Sequence, residues 1–367
     1  MISGPQVVGT RSGTDNVTMA SPSENTSSIH PFETLTPDQV LDALDTVGLR
    51  GDGRLTALSS YENRVYQVQL EDGSAVVTKF YRPGRWSDAQ IQEEHDFSRE
   101  LESAEVPAVG PMQLRGATLH HFGGFAFSVS PRRGGRGPEL DDGEVLEWIG
   151  RFLARFHGVG AASAFRHRPA LNLQNFGEDS RDWLLSNERV PLDVQARWAD
   201  VSRQALDMVG RHDCLAGRAP ARGEDVIRLL RLHGDCHPGN ILWTPTDVSA
   251  AAGPGPHFVD LDDARTGPAV QDMWMLLSGD RQQRQRQLCA MVDGYEQFRE
   301  FDRRELVLIE PLRTLRLIHY SAWLARRWED PIFPINFPWF GSSDYWKGQV
   351  QMLEDQCESM DEHPLVV

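Results

Sequence analysis

The chain has 367 residues and a formal charge of −16, with 53 acidic against 37 basic side chains. So acidic a protein repels phosphate backbones, which argues against a general DNA- or RNA-binding role, and we expect no nucleic-acid partner. No stretch reaches the roughly 20 apolar residues of a membrane-spanning helix, so no membrane partner is expected either. The four cysteines are scattered without a CxxC pair, a pattern that predicts a reduced, cytoplasmic protein.

The first 30 residues differ in composition from the segment that follows them, where helix and strand patterns begin. Residues 1–30 are rich in Ser, Thr, Asn and Gly, and we expect a disordered extension there. Thr36 can cap a first helix, because Pro37 suits the first helical position and apolar residues follow at helical spacing. A β-hairpin is predicted over residues 65–81, followed by a polar helix over residues 88–101.

A Pro, Gly and Arg-rich segment at residues 130–138 marks a change in pattern. Short strands precede it, whereas amphipathic helices follow, the first over residues 144–158. The expected fold class is therefore α+β with two lobes. A small β-rich N-lobe spans residues 31–130, and a larger, mainly helical C-lobe spans residues 131–367.

The loop HGDCHPGN, from His233 to Asn240, carries the strongest chemical signal. Asp235 is followed five positions later by Asn240, so a base and a metal ligand can share one short turn. Twenty residues further on, the apolar strand of FVDLDD delivers Asp260. Phosphoryl transfer from a nucleotide needs a carboxylate that accepts the acceptor's proton and hard oxygen ligands for Mg²⁺. The pattern therefore indicates phosphotransfer, with ATP and Mg²⁺ as cofactors.

Lysine usage adds a second signal. Only Lys79 and Lys347 occur in the whole chain, and Lys79 lies in the β-favouring run AVVTKFY. Carboxylates follow on the next helix at Glu93 and Glu94. A strand lysine held by a helix glutamate anchors the nucleotide phosphates in kinases. Glu93 and Glu94 are adjacent on a helix and cannot both face the lysine, so one is expected to be a solvated charge.

Several long blocks resemble known phosphotransferases. HGDCHPGN, FVDLDDARTGP and IGRFLARFHG resemble the aminoglycoside phosphotransferase/choline kinase branch of protein-kinase-like proteins. More closely, SYENRVYQV, KFYRPGRWSDAQIQEEH and LARRWEDPIFPINFPWF look like the bacterial stress response kinase A family. The resemblance covers about residues 32–350, and its motifs are long enough to be specific.

The resemblance implies a two-lobed protein-kinase-like fold and a cytoplasmic serine/threonine protein kinase linked to survival of stress. It implies Asp235 as the proton acceptor, with Asn240 and Asp260 holding Mg²⁺ and Asp260 also counted as catalytic. Lys79 is implied to contact the nucleotide phosphates. The expected partners are protein substrates with Ser or Thr hydroxyls, and we expect a monomer.

The same resemblance assigns the surroundings of the nucleotide. Glu94 is the preferred partner of the lysine because it aligns with the family's helix glutamate, and Glu93 is the alternative. Ser60 occupies the place of the phosphate-covering loop. That turn has no GxGxxG, so phosphate contacts are expected from Ser60, Asn63 and backbone N–H groups. Residues 246–256 form an insertion between the two metal-binding segments.

Four residues near the motifs have more ordinary interpretations. His233 is predicted to support the catalytic loop, because His233 and His237 without a third ligand make a poor zinc site. Cys236 is predicted to be a small packing residue rather than a nucleophile. Asp272 is a supporting residue that either binds loop N–H groups or caps the next helix.

Two further features stay open between a structural and a functional interpretation. The arginines at the lobe boundary are typical of a solvated charge run, although they could meet phosphates or an acidic substrate; they are Arg132, Arg133 and Arg136. The aromatic stretch PIFPINFPWF, with Trp339 and Trp346, belongs either to the core or to the substrate cleft.

Three functions compete at this stage. The first is a kinase acting on protein Ser/Thr hydroxyls, which the long family-specific blocks favour. The second is a small-molecule alcohol kinase with an aminoglycoside, choline or homoserine-like acceptor, which the shared motifs alone would allow. The third is a non-catalytic nucleotide-binding scaffold, against which the presence of Asp235 argues, since a scaffold needs no base.

Overall fold

The computed structural model describes residues 30–218, 226–245 and 254–367. The predicted disordered extension, apart from its last residue, and most of the predicted 246–256 insertion lie outside the described residues. Within the described ranges, none of the helices is both long and apolar enough to cross a membrane.

The first helix, α1 (Pro37–Thr46), begins where the sequence predicts. The Thr36 hydroxyl accepts a hydrogen bond from the Gln39 amide at 3.3 Å, and Pro37 occupies the first helical position. Val40 and Leu44 are fully buried, and they belong to the same hydrophobic cluster as strand residues such as Val68 and Phe127. The cap and the apolar stripe thus account for both the start and the docking of α1.

Five antiparallel strands form a sheet in the order β1-β2-β3-β5-β4. They are β1 (Gly51–Ala57), β2 (Arg64–Leu70), β3 (Ala75–Phe80), β4 (His120–Phe122) and β5 (Phe125–Pro131). The hairpin predicted over residues 65–81 is the β2–β3 pair. Lys79, on the central strand β3, lies opposite Val65 on one side and Ser128 on the other.

Helix α2 (Asp88–Ser103) is held against the end of β3. It starts at a capping box, in which the side chains of Ser87 and Gln90 each bond the other's backbone amide. The Tyr81 hydroxyl lies 2.8 Å from Nε2 of His95. Burial lowers the pKa of His95 to about 3, so this ring is neutral at pH 7 and bonds without a desolvated charge.

The sheet ends at Pro131, and the chain beyond it is mainly helical. The helices are α3 (Gly143–Gly160), α4 (Asp179–Ser186), α5 (Leu192–Val209), α6 (Asp213–Ala216), α7 (Gln271–Trp274), α8 (Arg281–Tyr295), α9 (Ile309–Arg326), α10 (Ile332–Asn336) and α11 (Ser343–Asp361). Helices α3 and α8 approach so closely that a Cβ on Gly150 would lie 2.0 Å from the Met291 carbonyl oxygen. The division into lobes at residues 130/131 remains a prediction.

Two small ladders within the helical part carry the chemical motifs. Strand β6 (Leu230–Leu232) pairs with β9 (Arg265–Gly267), and β7 (Ile241–Thr244) pairs with β8 (Gly255–Phe258). Residues 233–240, which we call the catalytic loop, follow β6. Residues 259–264, the metal loop, join β8 to β9. The pairing therefore brings the two loops side by side.

Candidate active site

One buried carboxylate, that of Asp272, anchors the start of the catalytic loop. Asp272, on α7, is fully buried, and it accepts hydrogen bonds from the backbone amides of His233 and Gly234, both at 2.8 Å. Nε2 of His157 lies 3.2 Å from the same carboxylate. Since Val270 is the N-cap of α7, Asp272 binds the loop and does not cap the helix, which decides between the two interpretations of this residue.

The catalytic and metal loops are joined directly. The buried ring of His233 lies 2.9 Å from the Val259 carbonyl oxygen, and the Val259 amide donates to the Asn240 carbonyl at 3.0 Å. Gly234 has φ of +83°, and a Cβ there would lie 2.2 Å from the Asp263 carbonyl oxygen. Only glycine fits this approach, so the loop's second residue is set by contact with the metal loop.

The candidate base and one candidate metal ligand share the catalytic loop. The Asn240 side-chain amide donates to the Asp235 carbonyl at 3.0 Å. The Asp235 carboxylate projects toward α9, where Nη1 of Arg316 lies 2.6 Å from its Oδ1. Nε2 of His237 lies 3.6 Å from its Oδ2. Asp235 is therefore flanked by Arg316 and His237 and remains partly open to solvent.

Asp260 lies in a strained backbone position beside Lys79. Its φ of +59° and ψ of 63° are left-handed, a conformation that is uncommon for non-glycine residues and is enriched in Asp and Asn. Nζ of Lys79 lies 2.8 Å from Asp260 and 3.5 Å from Asp262. Burial opposes the charge of the lysine, but the carboxylates of Asp260, Asp262 and Glu94 hold the pKa of Lys79 well above its usual value. The lysine is thus a fixed cation.

The two adjacent glutamates of α2 have different surroundings. The Glu93 carboxylate accepts hydrogen bonds from three successive backbone amides at residues 166–168. Glu94 is buried near Lys79, although the structure gives no direct hydrogen bond between them. Burial raises the pKa of Glu94. Of the two glutamates, Glu94 is therefore the one whose charge acts on Lys79. Glu93 instead binds the backbone of residues 166–168.

Two arginines brace the metal loop, and the sequence analysis did not identify them. Arg85 binds Asp262 at 2.5 Å and Asp263 at 2.8 Å. Arg168 donates to the Ala264 carbonyl at 2.6 Å and also to the Asp262 carbonyl. Arg85 lies in the quoted block KFYRPGRW, but its spacing alone gives no sign of partners 177 residues away.

The turn between β1 and β2 contains the predicted phosphate contacts. The Ser60 hydroxyl donates to the Asn63 carbonyl at 3.2 Å. Oδ1 of the buried Asn63 accepts from the Arg82 amide at 3.0 Å, so its oxygen shapes the turn and Nδ2 is the atom left for a ligand. Direct phosphate contact by Ser60 and Asn63 remains a prediction.

An ionic network connects that turn to the segment between α9 and α10. The Asp330 carboxylate binds Arg64 at 3.0 Å and Arg82 at 2.7 Å. Arg82 also lies 3.0 Å from Glu62, which in turn binds Arg327 at 2.6 Å. We call Glu62, Arg64, Arg82 and Asp330 the turn clamp. It holds the β1–β2 turn, the turn that lacks a GxGxxG sequence.

Comparison with known proteins places this site in a family. The sequence model of the phosphotransferase enzyme family matches residues 54–307. The chain belongs to that family. It is 44% identical to stress response kinase A of Escherichia coli (strain K12) over 339 residues, 92% of this chain and 98% of the relative. This agreement over nearly the whole length confirms the predicted relationship to the stress response kinase A family.

Other comparisons agree with the assignment. The serine/threonine protein kinase RdoA of Salmonella typhimurium is 43% identical over 91% of this chain and 96% of its own. The solved structure of amicoumacin kinase with AMP-PNP, Ca²⁺ and Ami aligns with a TM-score of 0.64. That alignment covers 90% of this chain and 95% of the other at 18% identity, so it supports the fold alone. The predicted α+β protein-kinase-like fold is confirmed, and the protein is a kinase-type phosphotransferase.

Three more residues of the phosphotransferase that the sequence singles out can now be described. Cys236 is fully buried, and burial raises the pKa of its thiol well above the usual value, so it lacks the character of a nucleophile. Trp346 is core, with its ring 5.4 Å from that of Trp198. Trp339 is 45% exposed, with its ring 5.3 Å from that of Tyr345, so it lies at the surface beside the aromatic core.

The boundary arginines are exposed. Arg136 pairs with Glu139 at 2.8 Å, and Arg132 donates to Gln67 at 3.4 Å. Both contacts lie at the surface, where an ion pair such as Arg136–Glu139 contributes little to stability. The surroundings of these arginines are those of a solvated charge run.

Proposed function

We propose that this phosphotransferase moves the γ-phosphoryl group of ATP to Ser or Thr hydroxyls of proteins, with Mg²⁺, in a cytoplasmic stress response. The observation that carries the chemistry is the junction of the two loops, where the Asn240 carbonyl accepts from the Val259 amide at 3.0 Å. This bond holds the loop with Asp235, the proposed base, and Asn240, a proposed metal ligand, against the loop with Asp260, which contacts Lys79.

The donor set fits Mg²⁺. Because Nδ2 of Asn240 donates a hydrogen bond to the Asp235 carbonyl, Oδ1 is the atom that remains for a cation. Asp260 offers a carboxylate that is 47% exposed. Within the described ranges, no group of three or more His, Cys, Asp or Glu side chains could hold a metal by itself. Two protein ligands completed by phosphate and water are typical of Mg²⁺, which would neutralise charge on the phosphates.

The chain's own residues supply the remaining steps. Lys79, held as a cation, would bind the phosphates, and the β1–β2 turn would cover them. Asp235 would accept the proton of the acceptor hydroxyl as that oxygen attacks in line. The fixed geometry of the two loops aligns the reacting groups, which is the larger part of phosphoryl-transfer catalysis.

A protein acceptor is supported by similarity and by local charge. The relatives named stress response kinase A and serine/threonine protein kinase RdoA match over nearly their whole lengths. On the acceptor side, Asp235 is flanked by Arg316 and His237. A guanidinium at this place opposes a polycationic aminoglycoside. The small-molecule kinase remains the second candidate because the amicoumacin kinase shares the fold.

The test is transfer from labelled ATP with Mg²⁺ to each class of acceptor. Purified protein is offered a mixture of proteins, or aminoglycosides, choline and homoserine, and the label is followed by gel and chromatography. We expect label on protein Ser or Thr, including the kinase itself. Label that appears only on the small alcohols would contradict the proposed acceptor.

The metal assignment has its own test. Asp260→Asn removes the negative charge of one ligand and Asn240→Ala removes the oxygen of the other, so both variants should need more Mg²⁺ for half-maximal transfer and should turn over more slowly. Asp344→Asn, at an exposed site on α11, is the matched control. If both variants keep the wild-type Mg²⁺ dependence, these residues do not hold the metal.

A further inference from the structure

Arg316 contacts the candidate base from a separate helix. It lies on α9, and its Nη1 is 2.6 Å from Oδ1 of Asp235. The Arg316 side chain is 36% exposed, so it borders the open side of the catalytic loop. Among the described residues, its guanidinium has no other hydrogen bond or ion pair. Most of its five N–H donors therefore remain free.

The neighbouring cations are already engaged. Arg265 donates to the Asp263 carbonyl at 2.8 Å, pairs with the Asp263 carboxylate at 2.5 Å and stacks on Phe176. Lys79 binds Asp260 and Asp262 on the nucleotide side. Among these cations, Arg316 is thus the one that contacts the Asp235 carboxylate itself, and most of its donors are free.

The distance from Arg316 to the reaction follows from its contact with the base. A hydroxyl bound to Asp235 lies about 2.7 Å from the carboxylate oxygen. The guanidinium, whose Nη1 lies 2.6 Å from Oδ1, is then roughly 5–7 Å from the attacking oxygen, depending on which carboxylate oxygen binds the hydroxyl, and a free N–H is near enough to contact the phosphoryl group as it transfers. A planar guanidinium fork matches phosphate oxygens well.

We propose that Arg316 is a catalytic residue that binds the phosphoryl group during transfer, an inference that rests on the proposed function. The acceptor oxygen forms a bond to the γ-phosphorus while the bond from that phosphorus to the β–γ bridging oxygen breaks. ADP leaves with the electron pair, and the hydroxyl proton passes to Asp235. Arg316 stabilises the charge on the oxygens of the moving group, as arginines supplied to other phosphotransferases do.

A transition-state mimic tests this contact without relying on turnover. Affinities for MgADP and for MgADP with aluminium fluoride, a planar mimic of the moving phosphoryl group, are measured by calorimetry. Arg316→Gln should weaken the aluminium fluoride complex by about 10²-fold and lower kcat similarly. Its affinity for MgADP and its KM for ATP should stay within about threefold. Arg316→Lys should recover part of the loss, because it restores the charge without the fork.

Arg313→Gln, one turn earlier on α9, is the matched control, since Arg313 pairs with Glu310 at 3.3 Å and not with Asp235. If Arg316→Gln binds the aluminium fluoride complex as tightly as the wild type, the proposal is overturned even when kcat falls, because Arg316 then acts only through Asp235. A wild-type protein that binds neither nucleotide complex and transfers no phosphate overturns the proposed function itself, and the two failures are therefore distinguishable.

Discussion

The carboxylates around Lys79 determine its charge and its position. Its side chain is 14% exposed and lies within 3.5 Å of two carboxylates. An ion pair of this burial adds little net stability, because desolvation offsets much of the attraction. The lysine therefore has the properties of a cation held ready for phosphate groups.

Selective chemical modification should identify Lys79 as the phosphate-binding lysine. An ATP analogue that carries an acylating group should modify Lys79 and spare Lys347, because binding delivers the reagent to the site. Excess MgATP should protect Lys79, as mass spectrometry of the digested protein would show. A simple acylating reagent without the nucleotide should prefer Lys347, whose side chain is 61% exposed. Protection of Lys347 alone would contradict the assignment.

At this scale the sequence predicts residues that lie within one motif or at a characteristic spacing. It identifies Lys79 and Asp260 separately, and the structure places them 2.8 Å apart. It gives no indication of Arg316 or Arg85, because their partners are distant in the chain and no periodic pattern links such pairs. Contacts of this kind depend on how the elements pack, which one sequence does not reveal.

At the scale of elements, one buried acid links two helices. Glu305 lies in the 3₁₀ turn before α9 and accepts from the Val270 amide, at the start of α7, at 2.7 Å. Burial raises the pKa of Glu305 to about 7 from an ordinary value of 4.5. Because the folded protein holds this proton more tightly than the unfolded chain, stability falls as the pH rises from about 4.5 to 7.

Replacing Glu305 by Gln should remove this pH dependence. The amide oxygen can still accept from the Val270 amide, and the neutral side chain carries no buried charge. At pH 8 Glu305→Gln should exceed the wild type in unfolding free energy by about 3 kcal/mol, since one pKa unit corresponds to about 1.4 kcal/mol. Near pH 4.5 the two should agree. Denaturant titrations at both pH values measure this, with exposed Glu358→Gln as control, and equal pH profiles would refute it.

Elements with strong periodicity or clear caps are predicted well. The start of α1 at Pro37 and the β2–β3 hairpin follow from local chemistry and are confirmed. Strand β1 was not predicted, because GDGRLTA has two glycines and no alternation, and most of its residues are exposed. This strand forms by pairing with β2, so its own residues do not predict it.

At the scale of the whole molecule, the turn clamp connects the sheet to the segment between α9 and α10. Asp330 is 3% exposed and lies between Arg64 and Arg82, which come from the sheet part. Burial opposes the charge, yet these two arginines hold the pKa of Asp330 below its usual value. Removing the carboxylate takes one partner from the buried Arg82, which keeps Glu62, and the only carboxylate partner that the described residues give the half-buried Arg64.

Asp330→Asn should therefore destabilise the protein strongly. Breaking one side of a buried ion pair costs about 3–5 kcal/mol, because the remaining charges stay desolvated. Thermal unfolding should show a clear fall in Tm, and KM for ATP should rise as the β1–β2 turn loosens. Asp344→Asn, whose side chain is 96% exposed, should leave both unchanged. A Tm for Asp330→Asn equal to that of this control would show that the clamp contributes nothing.

The most direct test of the account separates chemistry from binding at Asp235. Asp235→Asn keeps the shape of the side chain but removes the base, and a placed base is typically worth about 10²–10⁴-fold in rate. Phosphoryl transfer from labelled ATP and MgATP affinity by calorimetry are measured on the same preparation. The account predicts a loss of transfer of that order with nearly normal MgATP binding. A fully active Asp235→Asn, or one that no longer binds MgATP, would contradict it.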